Sequence, residues 1–558
     1  MDKNSLMSAV NRSAAIQAIK EETFDLIVIG GGVTGCGIAL DAASRGLKTV
    51  VLEKEDFASG TSSKSTKLIH GGLRYLKQLD FALVRETGTE RAIVHQLAPH
   101  LVLPEKMLMP LVKGGNYGYW GTSIGLTVYD ILAGVSGDDR RKMVSKKEAL
   151  AIEPLLDEKN LKGGGFYAEY RTDDARLTIE LMKTAVEHGA KALNYCQVEE
   201  LLYEDQQVVG VQCTNLQDNS TMQVRAKTVV SAGGPWVDTI RKKDKSLKGK
   251  RLFLSKGVHL VVPHEKLPLR HTIYFDVPDG RMVFAIPRGK VTYIGTTDTE
   301  YYGDKDRIVA TKSDAAYLIN AVKSAFPSVQ LTLDDIESNW AGLRPLIHED
   351  GKSPSELSRK DEIFTSPTGL ISIAGGKLTG YRKMAQRIVD LVYKEQGKSV
   401  PVCKTKKINL TPNPIKNAQA VEEYIKVVQN RVVDLGLDAY YGWYLVTTYG
   451  HQTELLLEKM NTFKNSTPEI ALARAEAWFG VHYEMVNSLE DFFVRRTGRL
   501  YFNIDSIPVV RDAVTLDLID YLSWDDVYVQ KEQKRLDELL FDATNYYEKE
   551  LEAESIEV

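Results

Sequence analysis

Cysteine is scarce in this 558-residue chain: Cys36, Cys196, Cys213 and Cys403 lie far apart, in no C-x-x-C pair and at no metal-ligand spacing. That excludes a disulfide scaffold and a structural metal site, and predicts small buried apolar residues in a reducing, cytosol-facing protein. Long apolar runs are also missing. No stretch offers eighteen uninterrupted apolar residues, and the opening MDKNSLMSAVNRSAAIQAIKEE has no apolar signal core, so neither a spanning helix nor export by an obvious signal is expected. The run Tyr119 to Val135 comes nearest, but with Thr122, Ser123, Thr127 and Asp130 it is too short and too polar, and a core or partner-facing helix is expected there. Charge of one sign is not in excess either. With 71 Lys and Arg against 75 Asp and Glu, the net charge of −4 gives no global field for nucleic acid, and no nucleic-acid-binding module is visible. No D-x-[DN]-x-[DN]-G loop occurs, so calcium regulation is not expected.

What is present starts with size: 558 residues exceed what one core usually organises, so two or three domains are expected. The stretch Phe24 to Glu53, FDLIVIGGGVTGCGIALDAASRGLKTVVLE, organises the first. An apolar run from Leu26 to Ile29 breaks into three glycines, a helix-period segment follows to Gly46, and a second apolar run ends at an acid, which predicts a βαβ unit with parallel strands. The glycine spacing is G-x-G-x-x-G. Gly30 permits the tight turn, Gly32 leaves no Cβ between backbone and a pyrophosphate, and Gly35 lets helix and strand approach. Glu53, at the end of the second strand, can accept from both ribose hydroxyls and would repel a 2′-phosphate. An ADP moiety, from FAD or NAD, is the expected ligand.

Along the chain, residues 12 to 22 read as a short amphipathic helix. A loop dense in Gly, Ser and Thr follows Glu53 and carries His70 and Arg74. GGGFYAEYRTDDARLTIELMKTAVEHGAKALNY, residues 163 to 195, runs from a glycine-rich strand into an amphipathic helix ending at Gly189, and 197–214 with 221–229 predict a small antiparallel sheet. TVVSAGGPW, residues 228 to 236, is a buried strand closed by Gly233 and Gly234, a second close backbone approach to a ligand. The run RKKDKSLKGKR, residues 241 to 251, holds seven basic residues in eleven; it is either a solvated loop or a patch for anionic lipid, at ~1 kcal/mol per basic residue. GVHLVV, RMVFAIPR and KVTYIGTTD alternate with turns and form the expected substrate sheet, which includes His259. SNWAGLRPLI brings Arg344, and residues 369 to 392 repeat the strand, Gly375-Gly376 turn and helix. Past Pro401 the pattern is helix-period, with the run RRTGR at 495 to 499, which predicts a separate helical domain.

The G-x-G-x-x-G unit followed by TSSKSTKLIHGGLRYL, residues 61 to 76, resembles the FAD-dependent glycerol-3-phosphate dehydrogenases of the aerobic, bacterial type. The resemblance covers roughly residues 24 to 390, and more loosely the helical end. It implies an α/β + α architecture: a Rossmann-like FAD-binding domain of the glutathione-reductase type (about 20–96, 163–236 and 340–400), a D-amino-acid-oxidase-like substrate domain with a mixed or antiparallel sheet (about 97–162 and 237–339), and a helical C-terminal cap (401–558). To the cofactor it assigns Gly30, Gly32, Gly35, Glu53, Thr61, Ser62, Ser63, Lys67, Leu68, Val198, Gly233, Trp236, Gly376, Lys377, Leu378 and Thr379. Around the substrate it assigns Arg74, Tyr75, Arg344, Arg359 and Lys377. Gly380 stands where the family carries threonine, which touches one hydroxyl contact. The implied reaction oxidises sn-glycerol 3-phosphate at C2 to dihydroxyacetone phosphate, with FAD taking the hydride and a membrane quinone the electrons. The implied setting is the cytoplasmic face of the cell membrane, bound peripherally, and a homodimer is compatible with it.

Such a hydride transfer needs a base for the hydroxyl proton. His70 and His259 are the neutral candidates, His70 being favoured by its place between the Ser/Thr loop and two glycines; Arg344 ranks lower because of its high pKa. Three other classes compete with the quinone-linked dehydrogenase: a same-fold oxidase using O2, a flavoprotein acting on an amine or amino acid, and a nucleotide-sensing module without catalysis.

Overall fold

The first strand, turn and helix form because neighbouring constraints agree. The computed structural model describes residues 7–70, 81–116, 122, 126–127, 140–348 and 360–552. In it, strand Thr23–Ile29 ends at Gly30, whose φ of +108° suits only glycine, and helix Val33–Ser44 begins three residues later. A Cβ on Gly35 would stand 1.9 Å from the Gly30 carbonyl oxygen, so the third glycine serves the contact between helix and turn.

The first sheet is parallel at its centre, where Ile371–Gly375, Thr221–Ser231, Thr23–Ile29, Thr49–Leu52 and Lys191–Leu193 lie side by side in that order. Alternation along each strand sorts the side chains between two faces. Leu26, Val28, Val51 and Val230 pack under helices Val33–Ser44, Asp174–Glu187 and Tyr381–Glu395. Ile27, Ile29, Val50, Leu52 and Val229 pack under an antiparallel arm formed by Cys196–Glu204 and Gln207–Asn215, together with Ile19 of helix Arg12–Lys20. Strand Thr221–Ser231 serves both arrangements: Thr221–Arg225 pairs with the arm and Arg225–Ser231 with the first strand.

The second sheet is mixed. Its long central strand Leu252–Pro263 pairs antiparallel with Val291–Gly295 on one side and Ser338–Ile347 on the other, and Met282–Arg288, Thr272–Asp276, Leu103–Val112 and Leu161–Arg171 continue it. One junction, Thr272–Asp276 with Leu103–Val112, is parallel. Two segments grouped above with the nucleotide half by residue range thus contribute strands here, Leu161–Arg171 and Ser338–Ile347, and the Ser/Thr loop adds Leu68–Ile69. The Gly163–Gly165 run has a local reason. Cβ atoms at these positions would meet the Val144 carbonyl oxygen at 2.5 Å, Leu108 Cδ1 at 2.9 Å and Leu126 Cδ1 at 2.6 Å, so the glycines let Leu161–Arg171 sit between crowded neighbours rather than forming a ligand turn. Of the apolar run 119–135, only Thr122, Leu126 and Thr127 are among the described residues.

The C-terminal region is helical, with Ala418–Asp434, Tyr440–Tyr449, Pro468–Tyr483, Ile507–Leu522 and Asp526–Thr544 as its main members. Among the described residues no helix is long and apolar enough to cross a membrane. Because the Gly35 contact is backbone against backbone, Gly35→Ala should cost on the order of 3 kcal/mol or abolish soluble expression, read as a shift of the denaturant midpoint.

Candidate active site

A cavity of about 1030 Å³ opens at the carboxyl ends of the parallel strands and runs inward to the junction of the two sheets. That is where doubly wound sheets bind ligands, and the volume is at the upper end of small-molecule sites. At its outer end the backbone of Gly30 and Gly32 is exposed to the lumen, and a Cβ at Gly32 would meet only Ser62 Oγ, at 3.2 Å. Ser62 Oγ accepts from the Val33 amide at 3.0 Å, at the helix start where free N–H groups and the dipole favour anions. Glu53 lines the same end. Its Oε2 accepts from the Gly31 amide at 2.6 Å and its Oε1 from the Glu55 amide at 3.0 Å. Burial outweighs those two hydrogen bonds and lifts the carboxyl from 4.5 to about 7. Trp236 Nε1 donates to Asp306 at 2.9 Å at the rim, and Lys54 lies 4.7 Å over its ring.

The inner end is built by the second sheet and the Ser/Thr loop. His259, on strand Leu252–Pro263, stacks on Trp340 at 4.6 Å and 11°, and its Nε2 lies 3.0 Å from Thr66 Oγ1. Gly295 makes room for the ring, since a Cβ there would come within 2.0 Å of His259 Cδ2. Burial first, then the cations of Arg344 and Lys67, hold this imidazole well below its usual 6.5. Arg344, on the adjacent strand Ser338–Ile347 opposite Ser255, donates to Thr296 Oγ1 at 2.8 Å and to the Thr297 carbonyl at 3.2 Å, with Asp298 at 3.5 Å. The guanidinium crosses Gly257, where a Cβ would stand 2.4 Å from its NH2 atom. His70 lines the cavity with its ring edge-on to Phe284 at 6.2 Å, and its carbonyl accepts from Thr379 Oγ1 at 3.1 Å. Gly376, Lys377, Leu378 and Thr379 close this side from the last glycine turn.

These residues fit a dinucleotide whose far ring reaches the second sheet: a bare glycine backbone at a helix start, an acid just after the second strand, and a second group of glycines facing a histidine and an arginine. A model for FAD dependent oxidoreductases matches residues 25–382, and one for the C-terminal domain of alpha-glycerophosphate oxidase matches 403–529. The aerobic glycerol-3-phosphate dehydrogenase of Bacillus subtilis (strain 168) is 48% identical over 547 residues, 97% of this chain and 99% of its own. That of Staphylococcus aureus (strain USA300) is 45% identical over 544 residues, 96% and 98% of the two chains. The chain belongs to the FAD-dependent glycerol-3-phosphate dehydrogenases. Among solved structures, the glycerol-3-phosphate dehydrogenase from Bacillus halodurans complexed with FAD matches with a TM-score of 0.83 at 44% identity, covering 97% of this chain and 99% of that one. L-alpha-glycerophosphate oxidase from Mycoplasma pneumoniae shares the fold, with a TM-score of 0.56 at 19% identity, covering 70% of this chain and 98% of that one.

In this glycerol-3-phosphate dehydrogenase family member the cavity gathers Gly30, Gly32, Glu53, Thr61, Ser62, Leu68, Val198, Gly233, Trp236 and Gly376–Thr379 with His70, His259 and Arg344. Gly35 sits behind the turn. Ser63 and Lys67 face away: both are buried, and Lys67 Nζ donates to Asp174 Oδ1 at 2.5 Å and to the Ser63 carbonyl at 3.0 Å. Arg74, Tyr75 and Arg359 lie outside the described residues. Also in the site are Thr66, which meets His259 across 193 residues, and the glycines Gly257 and Gly295 that seat Arg344 and His259, none of which the sequence motifs single out. The composition of the Ser/Thr loop was the only signal for Thr66; for the two glycines, their place inside strands was a signal that something approaches closely. Since a Cβ at Gly32 would meet no protein atom but Ser62 Oγ, the end of a short side chain, Gly32→Val is expected to give a folded but largely FAD-free protein, checked by the ratio of flavin to protein absorbance after purification.

Proposed function

We propose that this chain oxidises sn-glycerol 3-phosphate at C2 to dihydroxyacetone phosphate with FAD as hydride acceptor, and that a membrane quinone receives the electrons. The observation that carries the reaction is the near-full-length likeness to glycerol-3-phosphate dehydrogenases, joined to a cavity in which an ADP-binding turn leads to an arginine and a neutral histidine. FAD supplies the hydride-accepting ring. Residues Gly30–Gly32, Ser62 and Glu53 hold its ADP half, and Gly376–Thr379 its ring end. Arg344 brings a permanent charge to the inner end, held in one orientation by Thr296 and Thr297. With Arg74, Arg359 and Lys377 it is assigned to the phosphate dianion, whose charge-assisted, partly bidentate hydrogen bonds offset the mutual repulsion of gathered cations. The base is assigned to His70. His259 serves less well, because a proton on its ring would be buried beside Arg344 and Lys67; a neutral ring pinned by Trp340 and Thr66 suits it to orient a hydroxyl.

Anaerobic addition of glycerol 3-phosphate should bleach the flavin, and a quinone analogue should restore it. Faster recovery with oxygen, accompanied by peroxide, would move the acceptor to O2. Arg344→Met should lower kcat/KM for glycerol 3-phosphate by at least about two orders of magnitude, roughly 3 kcal/mol for one strong charged contact, with hardly any change on glycerol, which lacks the dianion and is a very poor substrate. Equal impairment of both substrates with FAD still bound would assign Arg344 to the C2 hydroxyl or the flavin.

The quinone places the protein at a lipid surface. The basic run contributes less charge than its sequence promises: Arg241 is buried against Asp238 and Phe364, and Lys250 pairs with Glu362. Lys242, Lys245, Lys248 and Arg251 remain exposed, next to the cavity rim formed by Thr239, Ile240 and Lys243. At ~1 kcal/mol each near an anionic surface they support peripheral, reversible binding. Sedimentation with anionic vesicles should weaken with salt and on neutralising Lys242, Lys245 and Lys248. Equal binding to neutral lipid would leave the run a solvated loop.

A further inference from the structure

We propose that Arg495 and Arg496, in the helical C-terminal region, are positioning residues for FAD, holding the strip Glu53–Gly60 against the cofactor through Asp56. The proposal rests on the main cavity being the FAD site. Asp56 is wholly buried, and its carboxylate is saturated. Oδ2 accepts from Arg495 Nε and Arg496 NH1, both at 2.7 Å; Oδ1 accepts from Arg496 NH2 at 2.9 Å and Asn194 Nδ2 at 3.1 Å. Two consecutive arginines reach one carboxylate from the π-helix Asp491–Arg496, a winding frequently found at functional sites. Each guanidinium is fixed from behind as well. Arg495 donates to Asp491 Oδ1 at 2.7 Å and Glu490 Oε1 at 2.8 Å, and Arg496 to the Glu484 carbonyl at 2.7 Å.

The strip that Asp56 anchors lines the cavity on both sides of it, with Glu53 and Lys54 before and Ser59 and Gly60 after. It is also joined to the phosphate turn. Glu53 Oε2 accepts from the Gly31 amide, the Ala58 amide donates to the Gly31 carbonyl at 3.1 Å, and a Cβ on Gly31 would stand 2.6 Å from Phe57 Cδ1. Ala58 holds a φ of +66°, which an alanine keeps only where its surroundings impose it. Losing either side of the ion cluster leaves a buried charge without its partner. The relief available is for the strip to turn toward water, and the ribose-binding acid and the Gly31 contact turn with it. The inner end, carried by the second sheet and by the Ser/Thr loop that Thr61, Ser65 and Thr66 fasten to it, is spared.

The third arginine of the run supplies the control. Arg499 is equally buried, but its partners, Glu476 Oε2 and Ser506 Oγ, both at 2.9 Å, lie within the helical region. The test uses full-length holoenzyme carrying Arg495→Lys, Arg496→Lys, Asp56→Asn or Arg499→Lys. It reads the FAD dissociation constant from flavin fluorescence on dilution, and the anaerobic rate of flavin reduction by glycerol 3-phosphate at saturating FAD. Loss of one or more charged hydrogen bonds should weaken FAD by roughly tenfold in the two lysine variants of Arg495 and Arg496 and by about 100-fold in Asp56→Asn. Reduction at saturating FAD should stay within about twofold, and Arg499→Lys should lower Tm without loosening FAD. FAD loosened as much by Arg499→Lys as by Arg496→Lys would make the effect general destabilisation and overturn the proposal, as would wild-type affinity in Asp56→Asn and Arg496→Lys. If Asp56→Asn is insoluble, the charge-retaining lysine variants decide alone. A wild-type protein without affinity for FAD would instead refute the reading of the cavity.

Discussion

The arrangement turns on how closely the backbone at Lys64 approaches strand Ser338–Ile347. A Cβ on Gly342 would stand 2.7 Å from the Lys64 carbonyl oxygen, so only glycine lets the Ser/Thr loop lie flat on the second sheet. Four further bonds fasten it: Thr61 Oγ1 to the Leu343 carbonyl at 2.7 Å, Trp340 Nε1 to that of Ser65 at 3.3 Å, Tyr293 OH to that of Thr66 at 3.1 Å, and the Ser65 amide to Asp174 at 2.9 Å. This seam makes one cavity out of two sheets. It brings Ser62 to the phosphate turn, Thr66 to His259 and His70 to the last glycine turn within ten residues of chain.

Burial acts on the two ends of that cavity in the same sense, toward neutrality, but on groups of opposite charge type. At the outer end it raises the Glu53 carboxyl into the range of neutral pH; at the inner end it lowers the His259 imidazole far beneath it. The fixed charge is left to arginine, which holds its proton under any such pressure. Where the structure buries Arg176 away from the cavity it supplies a carboxylate partner, Glu484, at 2.7 Å to each carboxylate oxygen. The same rule explains Lys67, whose charge is answered by Asp174 and so is directed away from any ligand.

What the sequence made legible was local. The G-x-G-x-x-G spacing, the acid after the second strand and the two later Gly-Gly turns each act within a few residues of themselves, and each lines the cavity. Sheet membership was not legible, because Leu161–Arg171 and Ser338–Ile347 carry patterns that would suit either sheet; only pairing partners a long way off in the chain decide. The Thr66 to His259 contact and the partners of the 495–499 run were hidden for the same reason. Asp56 is 440 residues from Arg496, and no periodicity connects them.

The order in which strands enter the two sheets bears on how the protein is made. The chain contributes to the first sheet at 23–52, to the second at 68–171, returns to the first at 191–231, leaves for 252–347 and comes back at 361–375. The second sheet is therefore complete only once Ser338–Ile347 has left the ribosome, and the first only once Ile371–Gly375 has, roughly 20–75 s after initiation at ordinary elongation rates. Until then apolar strand edges wait unpaired, the condition under which nascent chains engage holding chaperones. The glycine turn that follows this last strand closes the inner end of the cavity, so the cofactor can add to the polypeptide only late in synthesis, and a supply of free FAD at that moment favours completion of the fold.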